Sequence, residues 1–547
     1  VEEVAVTDTY LASAVQYEPA FSQKKENLRA LAALTGQAAG AGARLVVLPE
    51  MAATGCMFRD AGELGPVAET IPGPTTEFLG GLARRWGIYL VVGLPEVEPS
   101  TGALYNACAL LGPTGNVLAK YRKTHLFRAE THWCSPGNLP VPVIDTEIGS
   151  LSMMICMDAE FFEVARVAAL RGAGVMALPA NWVGPAPAKS WRARALENGI
   201  YLVVADRWGT EGGIAFRGNT CLVGPEGEVL DSLETGDGVV TARVDLKRAR
   251  DKSLEGLGDR IRLRRPGVYQ GLLLEPYLWP RVQGGGRRGA FAVVQSCPGP
   301  DWRANLERLA RLARQALEGH RGILVFPEYC LSQWPVDPEQ ALPVPGPQVD
   351  ALEVLARELG SYLVAGLLER DGTRRYSTTV LVGPEGVAGF YRKVHLSGEE
   401  RAWASPGESL SGTHQTPYGR VALLGGTDLL FPEAPRSAAK NRADLLAVPA
   451  AWTRREHDFL WDDRWATNDL FLGVANRCGA PFSGRSTVYG NPWETQGPNR
   501  QRCALAQEGF AVMDVEVSGD TPAGSKDFLR MQQVIWYERI ALREGVT

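Results

Sequence analysis

The chain says the same thing twice. YRKTHLF at 121–127 returns as YRKVHLS at 391–397, and LVVLPE at 45–50 returns as ILVFPE at 323–328. Ala14-Val15-Gln16 comes back as Val293-Val294-Gln295. VGPEGEV at 223–229 has its echo in VGPEGVA at 382–388, or the echo belongs to an earlier cognate turn. From Lys123 onward one spacing holds. Trp133 with Trp403, Gly137 with Gly407, Gly149 with Gly419, Asp158 with Asp428 and Trp182 with Trp452 all lie 270 residues apart. A constant offset over such a length is an internal duplication. Each half must then close the same core by itself, and 547 residues suffice for two domains. The expected boundaries are 1–282, a flexible Gly/Arg linker at 283–290, and 291–547.

Within the first half, apolar runs alternate with helical patterns. Leu11 to Tyr17, Arg44 to Leu48 and Ile88 to Gly93 read as strands, Lys24 to Ala41 and Thr75 to Trp86 as helices. Strands near Ala107 to Leu111 and Val117 to Tyr121 flank the turn Gly112-Pro113-Thr114-Gly115. Leu151 to Ile155 reads as a buried strand ending at Cys156, with a helix from Ala159 to Leu170. Four more strands follow, Val175 to Leu178, Tyr201 to Ala205, Thr220 to Val223 and Val239 to Val244. The pattern is that of an α/β layered domain.

Composition narrows the class. A hydrophobic fraction of 45% with 22% charged residues fits a globular protein with sizeable cores. The net charge of -5 gives no reason to expect nucleic acid, and the basic run Arg243 to Arg265 lacks interleaved aromatics and reads as a solvated tail. Nine cysteines without a CxxC pair read as reduced thiols, hence a cytoplasmic setting. No apolar run is long enough to span a bilayer, and no signal-peptide pattern opens the chain, which starts at Val1. His125 and His132 have no metal-ligand spacing, so no metal is expected, and no cofactor.

Three polar residues stand at strand ends: Glu50, Lys123 and Cys156. Each alone has a plain reading, as surface carboxylate, solvated ammonium and buried thiol. Together they supply one chemistry. A thiolate attacks a carbonyl or nitrile carbon, a carboxylate moves the proton, and an ammonium stabilises the oxyanion. Cys134 reads as an incidental, partly exposed loop thiol, while Cys221, Cys330 and Cys478 read as packing residues.

LPE, YRKTHLF, ICMD and PANW (179–182) resemble the nitrilase, or carbon-nitrogen hydrolase, superfamily, and the likeness covers almost the whole chain. It implies that Glu50 is the general base, Lys123 the oxyanion stabiliser and Cys156 the nucleophile, with Glu130 the family's second glutamate. It also implies an α-β-β-α sandwich that pairs sheet to sheet, so the two halves are expected to form an intrachain pseudo-dimer, itself open to further homo-oligomerisation. Glu160, Trp133, Asn181 and Trp182 are candidates for substrate contact. In the second half Glu328, Lys393 and Glu400 persist, but Gly426 stands where the nucleophile should be, and Thr427 is out of register. That half is expected to be catalytically dead. Met157-Asp158 after the cysteine resembles amidase and carbamoylase branches, implying hydrolysis of a small amide or carbamoyl compound. A nitrilase proper and a non-catalytic scaffold are the alternatives. Ala159 and Glu160 occupy the stretch where carboxylate-recognising members carry a basic residue, which favours a neutral or amine-bearing substrate.

Overall fold

The computed structural model describes residues 8–275, 286–454, 457–492, 499–504, 507–518, 528–531 and 540. Its contacts divide the chain into two compact units, Val1–Ser253 and Leu254–Thr547. Among the described residues no helix is long and apolar enough to cross a membrane.

In the first unit the elements run β1 (Thr9–Gln16), α1 (Lys24–Gly40), β2 (Ala43–Val47), α2 (Pro74–Trp86), β3 (Tyr89–Val97), β4 (Leu104–Leu111) and β5 (Val117–Arg122). Then follow β6 (Val143–Thr146), β7 (Gly149–Met153), α3 (Phe162–Leu170), β8 (Val175–Ala180), α4 (Lys189–Asn198) and β9 (Tyr201–Asp206). The last three are β10 (Thr220–Val223), β11 (Val229–Leu233) and β12 (Gly238–Asp245). One six-stranded sheet is ordered β12-β1-β2-β3-β4-β5 and the other β11-β10-β9-β8-β7-β6. At the centre of each sheet three strands run parallel, β1-β2-β3 and β7-β8-β9.

The parallel strands explain the unbroken apolar runs seen in the sequence, because a strand covered on both faces has no polar side. On one face of the first sheet Leu31 and Ala38 of α1 and Leu79 and Ala83 of α2 pack on Val15, Val46, Leu90 and Ala107. On the other face the two sheets meet, with β1 against β9 and β2 and β3 against β8. α4 covers the outer face of the second sheet at β9 and β10. The result is helix, sheet, sheet, helix. α2 shows how local chemistry sets the bounds. Pro74 starts it, the Thr76 hydroxyl takes the Gly73 N–H at 2.8 Å, and Gly87 ends it at φ 63.

The second unit repeats the architecture. Its first sheet is ordered Gly386–Arg392, Arg374–Gly383, Tyr362–Asp371, Gly322–Val325, Gly289–Gln295, Gly509–Val515. Its second is ordered Thr413–Thr416, Gly419–Leu423, Leu445–Ala450, Phe471–Asn476, Thr487–Tyr489, Arg500–Arg502. The turn 383–386 joins the strands equivalent to β4 and β5, so its partner is the turn at 112–115 and not 224–227, which lies in the other sheet.

Several expectations need correction. Residues 254–275, assigned by sequence to the first domain, pack with the second unit. Arg264 is buried there, donating to Glu433 at 2.7 Å and to the Ile540 carbonyl at 2.6 Å. Arg260 is buried too, so this end of the basic run is no solvated tail. In the Gly/Arg linker, 283–285 lie outside the described residues. The remainder is tied down: the Gly286 and Arg287 N–H groups donate to the carbonyls of Val517 and Pro417, and Arg288 pairs with Asp514. Cys134 is buried in an apolar cluster with Met51, Phe58, Leu126 and Trp133, so it is no partly exposed thiol.

Candidate active site

The sequence places a helix directly after the Cys156 strand. The structure inserts a 3-10 turn, Cys156–Glu160, and α3 starts only at Phe162. The cause is local. Cys156 takes φ 44, a left-handed conformation from which a helix cannot start, and strain of this kind is held only where the surroundings enforce it. Here the enforcement is Asp158, whose Oδ2 accepts the Ile155 N–H at 3.1 Å and so closes the turn over the cysteine. The same carboxylate accepts the Tyr121 hydroxyl at 3.0 Å, the His125 N–H at 3.0 Å and bonds His125 Nδ1 at 2.8 Å. His125 stacks on Phe161. Asp158→Ala is expected to lower unfolding stability by about 3–5 kcal/mol, because it leaves the Ile155, Tyr121 and His125 donors buried without their acceptor, at about 1–3 kcal/mol each. Denaturant titration checks it.

Cys156 is 6% exposed. The backbone of Asn181, just past the end of β8, faces its sulfur and favours the charged form. Burial and the nearby Glu50 push the thiol above the ordinary cysteine range, with the Lys123 charge opposing them. The resting group is therefore a thiol, which needs a base.

Glu50, 1% exposed, follows β2. Its position depends on a close approach that only glycine allows. A Cβ on Gly93 of β3 would stand 2.5 Å from the Glu50 Cα. Glu50 Oε1 accepts Lys123 Nζ at 2.8 Å, and Lys123 Nζ also donates to Glu130 Oε1 at 2.8 Å. Burial alone would lower the lysine, but the charges of Glu130 and Glu50 outweigh it and hold Lys123 firmly protonated. Burial raises Glu130 despite the neighbouring ammonium. Glu130 Oε2 accepts the Phe127 N–H at 2.6 Å, which fixes the 3-10 turn Arg128–His132 that carries it. Glu50 Oε2 is buried with no hydrogen-bond partner among the described residues.

The four residues read from the sequence thus come together. A fifth was missed. Asn106, in the middle of β4, donates from Nδ2 to Glu50 Oε1 at 2.7 Å and to Glu130 Oε1 at 3.2 Å. Its signal was a lone polar residue inside the apolar run LYNACALL. Asp206, ending β9, was missed likewise; its Oδ1 accepts the Trp182 N–H at 2.8 Å.

The expected substrate contacts divide. Asn181 is buried with both amide atoms unpartnered among the described residues. Trp182 is half-buried and meets Trp191 edge to face. Trp133 is 3% exposed and packs on Phe58, within the apolar cluster. Glu160 accepts the Ser190 hydroxyl at 2.8 Å, so its carboxylate is engaged by the start of α4. Among the described residues no group of three or more His, Cys, Asp or Glu side chains is placed to hold a metal ion.

The second unit keeps the charges and rebuilds their surroundings. Lys393 Nζ donates to Glu328 at 2.7 Å and to Glu400 at 2.9 Å. Tyr329 replaces Met51 after the glutamate and donates its hydroxyl to Glu400 at 2.5 Å. With no thiol at 426, the Gly426 N–H donates to Glu328 Oε1 at 3.1 Å. Burial pushes Glu328 up to about 7, against the attraction of Lys393. Thr427 donates its hydroxyl to the His395 carbonyl, which leaves it no nucleophile's role.

A buried thiol on a strained turn, a carboxylate with an unpartnered oxygen and an ammonium between two glutamates thus stand together on an α-β-β-α sandwich. The carbon-nitrogen hydrolase family profile matches residues 11–252 and again 291–500, and the chain belongs to this family, in tandem. A nitrilase of Pyrococcus abyssi is 40% identical over 257 residues, 97% of its length and 47% of this chain. The human omega-amidase NIT2 is 34% identical, over 86% of its length and 42% of this chain. An amidase from Nesterenkonia sp., solved by crystallography, aligns at 29% identity over 96% of its chain and 46% of this one, with a TM-score of 0.40.

Proposed function

We propose that the first unit hydrolyses an amide or carbamoyl C–N bond through a thioester on Cys156. The observation that carries this reading is the division of labour within Glu50. Oε1 is occupied by Lys123 and Asn106, while Oε2 is buried and unpartnered. That unpartnered oxygen is open to take a proton, and the thiol it would serve is held protonated by burial.

The steps balance as follows. Glu50 takes the Cys156 proton as sulfur attacks the carbonyl carbon. Lys123 Nζ stabilises the oxyanion. Glu50 then gives the proton to nitrogen, the C–N bond breaks, and ammonia or an amine leaves. Water attacks the thioester carbonyl, losing its proton to Glu50, which returns it to the departing thiolate. The acid is released. Glu130 and Asn106 keep lysine and base in register throughout.

A nitrile substrate is the second reading, favoured by the name of the Pyrococcus relative. Ammonia release from matched series of amides, carbamoyl compounds and nitriles tests both. Amide or carbamoyl turnover exceeding nitrile turnover in kcat/KM is expected. Turnover of nitriles alone would transfer the assignment to the second reading. The set should include carboxylate-bearing and amine-bearing amides, because no basic residue follows the cysteine turn.

A further inference from the structure

The duplication supplies an internal control for the site, and one position stands out in it. Asp206 and Asn476 occupy the same place. Asp206 N–H donates to Thr220 Oγ1 at 2.9 Å, and Asn476 N–H donates to Ser486 Oγ at 2.8 Å. Thr220 N–H and Ser486 N–H in turn donate to the side-chain oxygens of Gln16 and Gln295, at 3.0 and 2.8 Å. Asp206 Oδ1 accepts the Trp182 N–H at 2.8 Å, and Asn476 Oδ1 accepts the Trp452 N–H at 2.6 Å.

The two sites differ in the other side-chain atom. Asn476 Nδ2 is a donor and is fully used, giving to the carbonyls of Trp452 at 3.1 Å and Gly484 at 2.9 Å and to Ser483 Oγ at 3.0 Å. The surroundings there require a donor. Asp206 Oδ2 is the corresponding atom, fully buried and without a hydrogen-bond partner among the described residues. The matching carbonyls belong to Trp182 and Gly218, the latter placed by the same bond: Gly218 N–H to Arg207 O and Gly484 N–H to Arg477 O, each 3.2 Å. The second copy uses a donor at this atom, and of the two forms of an aspartate only the carboxylic acid offers one.

We propose that Asp206 is a positioning residue that works as the neutral carboxylic acid, its Oδ2–H taking the part of the Asn476 amide and holding the Asn181–Trp182 turn against Cys156. The turn matters because the Asn181 backbone faces the sulfur and opposes the rise of the thiol. The ionisable groups that face Asp206 are Glu50, Arg207 and Cys221. Glu50 opposes a second anion, and Arg207 is bound at 2.7 Å to Glu211. Burial, first among the causes, raises Asp206 well above the ordinary carboxylate range.

The test compares Asp206→Asn and Asp206→Ala in the full chain by three readouts. In infrared spectra a protonated-carboxyl band present in the wild type at pH 7 should vanish in Asp206→Asn. In thermal unfolding, Asp206→Asn should be more stable than wild type at pH 7. The sign follows from linkage. A raised folded pKa means that above about pH 4 the unfolded Asp releases a proton that the native state keeps. Wild-type stability therefore falls as pH rises through that window, and the asparagine escapes the loss. The gain should shrink toward zero as pH is lowered to about 4. In turnover, Asp206→Asn should keep at least about a tenth of wild-type kcat and Asp206→Ala should lose about 100-fold, the cost of a misplaced reacting group. No difference in the infrared band, a destabilised Asp206→Asn at pH 7, or a larger loss of kcat in the asparagine than in the alanine variant overturns the proposal. The turnover readout rests on the function proposed above. The infrared and thermal readouts do not, so an inactive wild type would fail that function while still deciding this one.

Discussion

Cys156→Ala leaves the chain folded and its hydrolysis at the uncatalysed level, a fall on the order of a million-fold in kcat for a nucleophile acting within a catalytic unit. Removing Sγ from a site that is 6% exposed deletes little packing, so far-UV circular dichroism and the unfolding midpoint should stay near those of the wild type. Glu50→Gln keeps the shape and loses the base. It should cost nearly as much, because burial holds the thiol protonated and the attack needs a base to take that proton. Lys123→Ala is a less clean probe. It strands Glu50 and Glu130 as buried carboxylates sharing no cation, so lost stability will accompany lost activity. Mass spectrometry of the quenched reaction adds a positive test: a thioester adduct on the tryptic peptide containing Cys156 in the wild type and none in Cys156→Ala. Hydrolysis by purified Cys156→Ala at even a hundredth of the wild-type rate would remove Cys156 from the mechanism.

Much of this site was legible because the chain carries two copies of it. A strand-ending glutamate or a lysine in YRK means little once. The same residues returning at Glu328 and Lys393, around a position that has changed from Cys156 to Gly426, mark out both the site and its loss. The fold was legible for a related reason. Parallel strands covered on both faces read as continuous apolar runs, and LVV in β2 and YLVV in β9 are of that kind. What escaped were polar residues inside such runs. Asn106 and Asp206 look like interruptions of a strand until the partner strands are in place, and their partners are 56 and 24 residues away. The 3-10 turn at Cys156 escaped because apolar periodicity cannot see a left-handed residue held by a carboxylate two positions on. The extent of the first unit escaped because Arg260 and Arg264 read as solvent-facing charge by type, and only a buried partner such as Glu433 makes a guanidinium an interior group.

Putting the nucleophile back into the second unit will not revive it. In the chain carrying Cys156→Ala, adding Gly426→Cys is expected to yield no turnover above Cys156→Ala alone and no thioester on the second unit. Three features of the geometry lead there. Cys156 depends on a left-handed backbone at φ 44, whereas Gly426 lies outside that region, so a side chain at 426 leaves the backbone in a different direction. The Cβ of that new side chain would lie 3.0 Å from both Cα and Cβ of Ala450, tighter than ordinary packing allows. Space beside the base is short as well. Glu328 Oε1 holds the Gly426 N–H and Lys393, and a Cβ at the preceding Gly425 would meet that same oxygen at 2.9 Å and Lys393 Cδ at 2.8 Å. Lysine and glutamate thus lie against the backbone of Gly425, where the first unit has Ile155. Tyr329 locks the arrangement by bonding Glu400, an interaction that Met51 cannot make in the first unit. Loss of the nucleophile is thus accompanied by loss of the elbow, and one substitution restores only the first. Recovery of a hundredth or more of wild-type turnover in the double variant would show that the second site is still organised for chemistry and that the missing sulfur was its single defect.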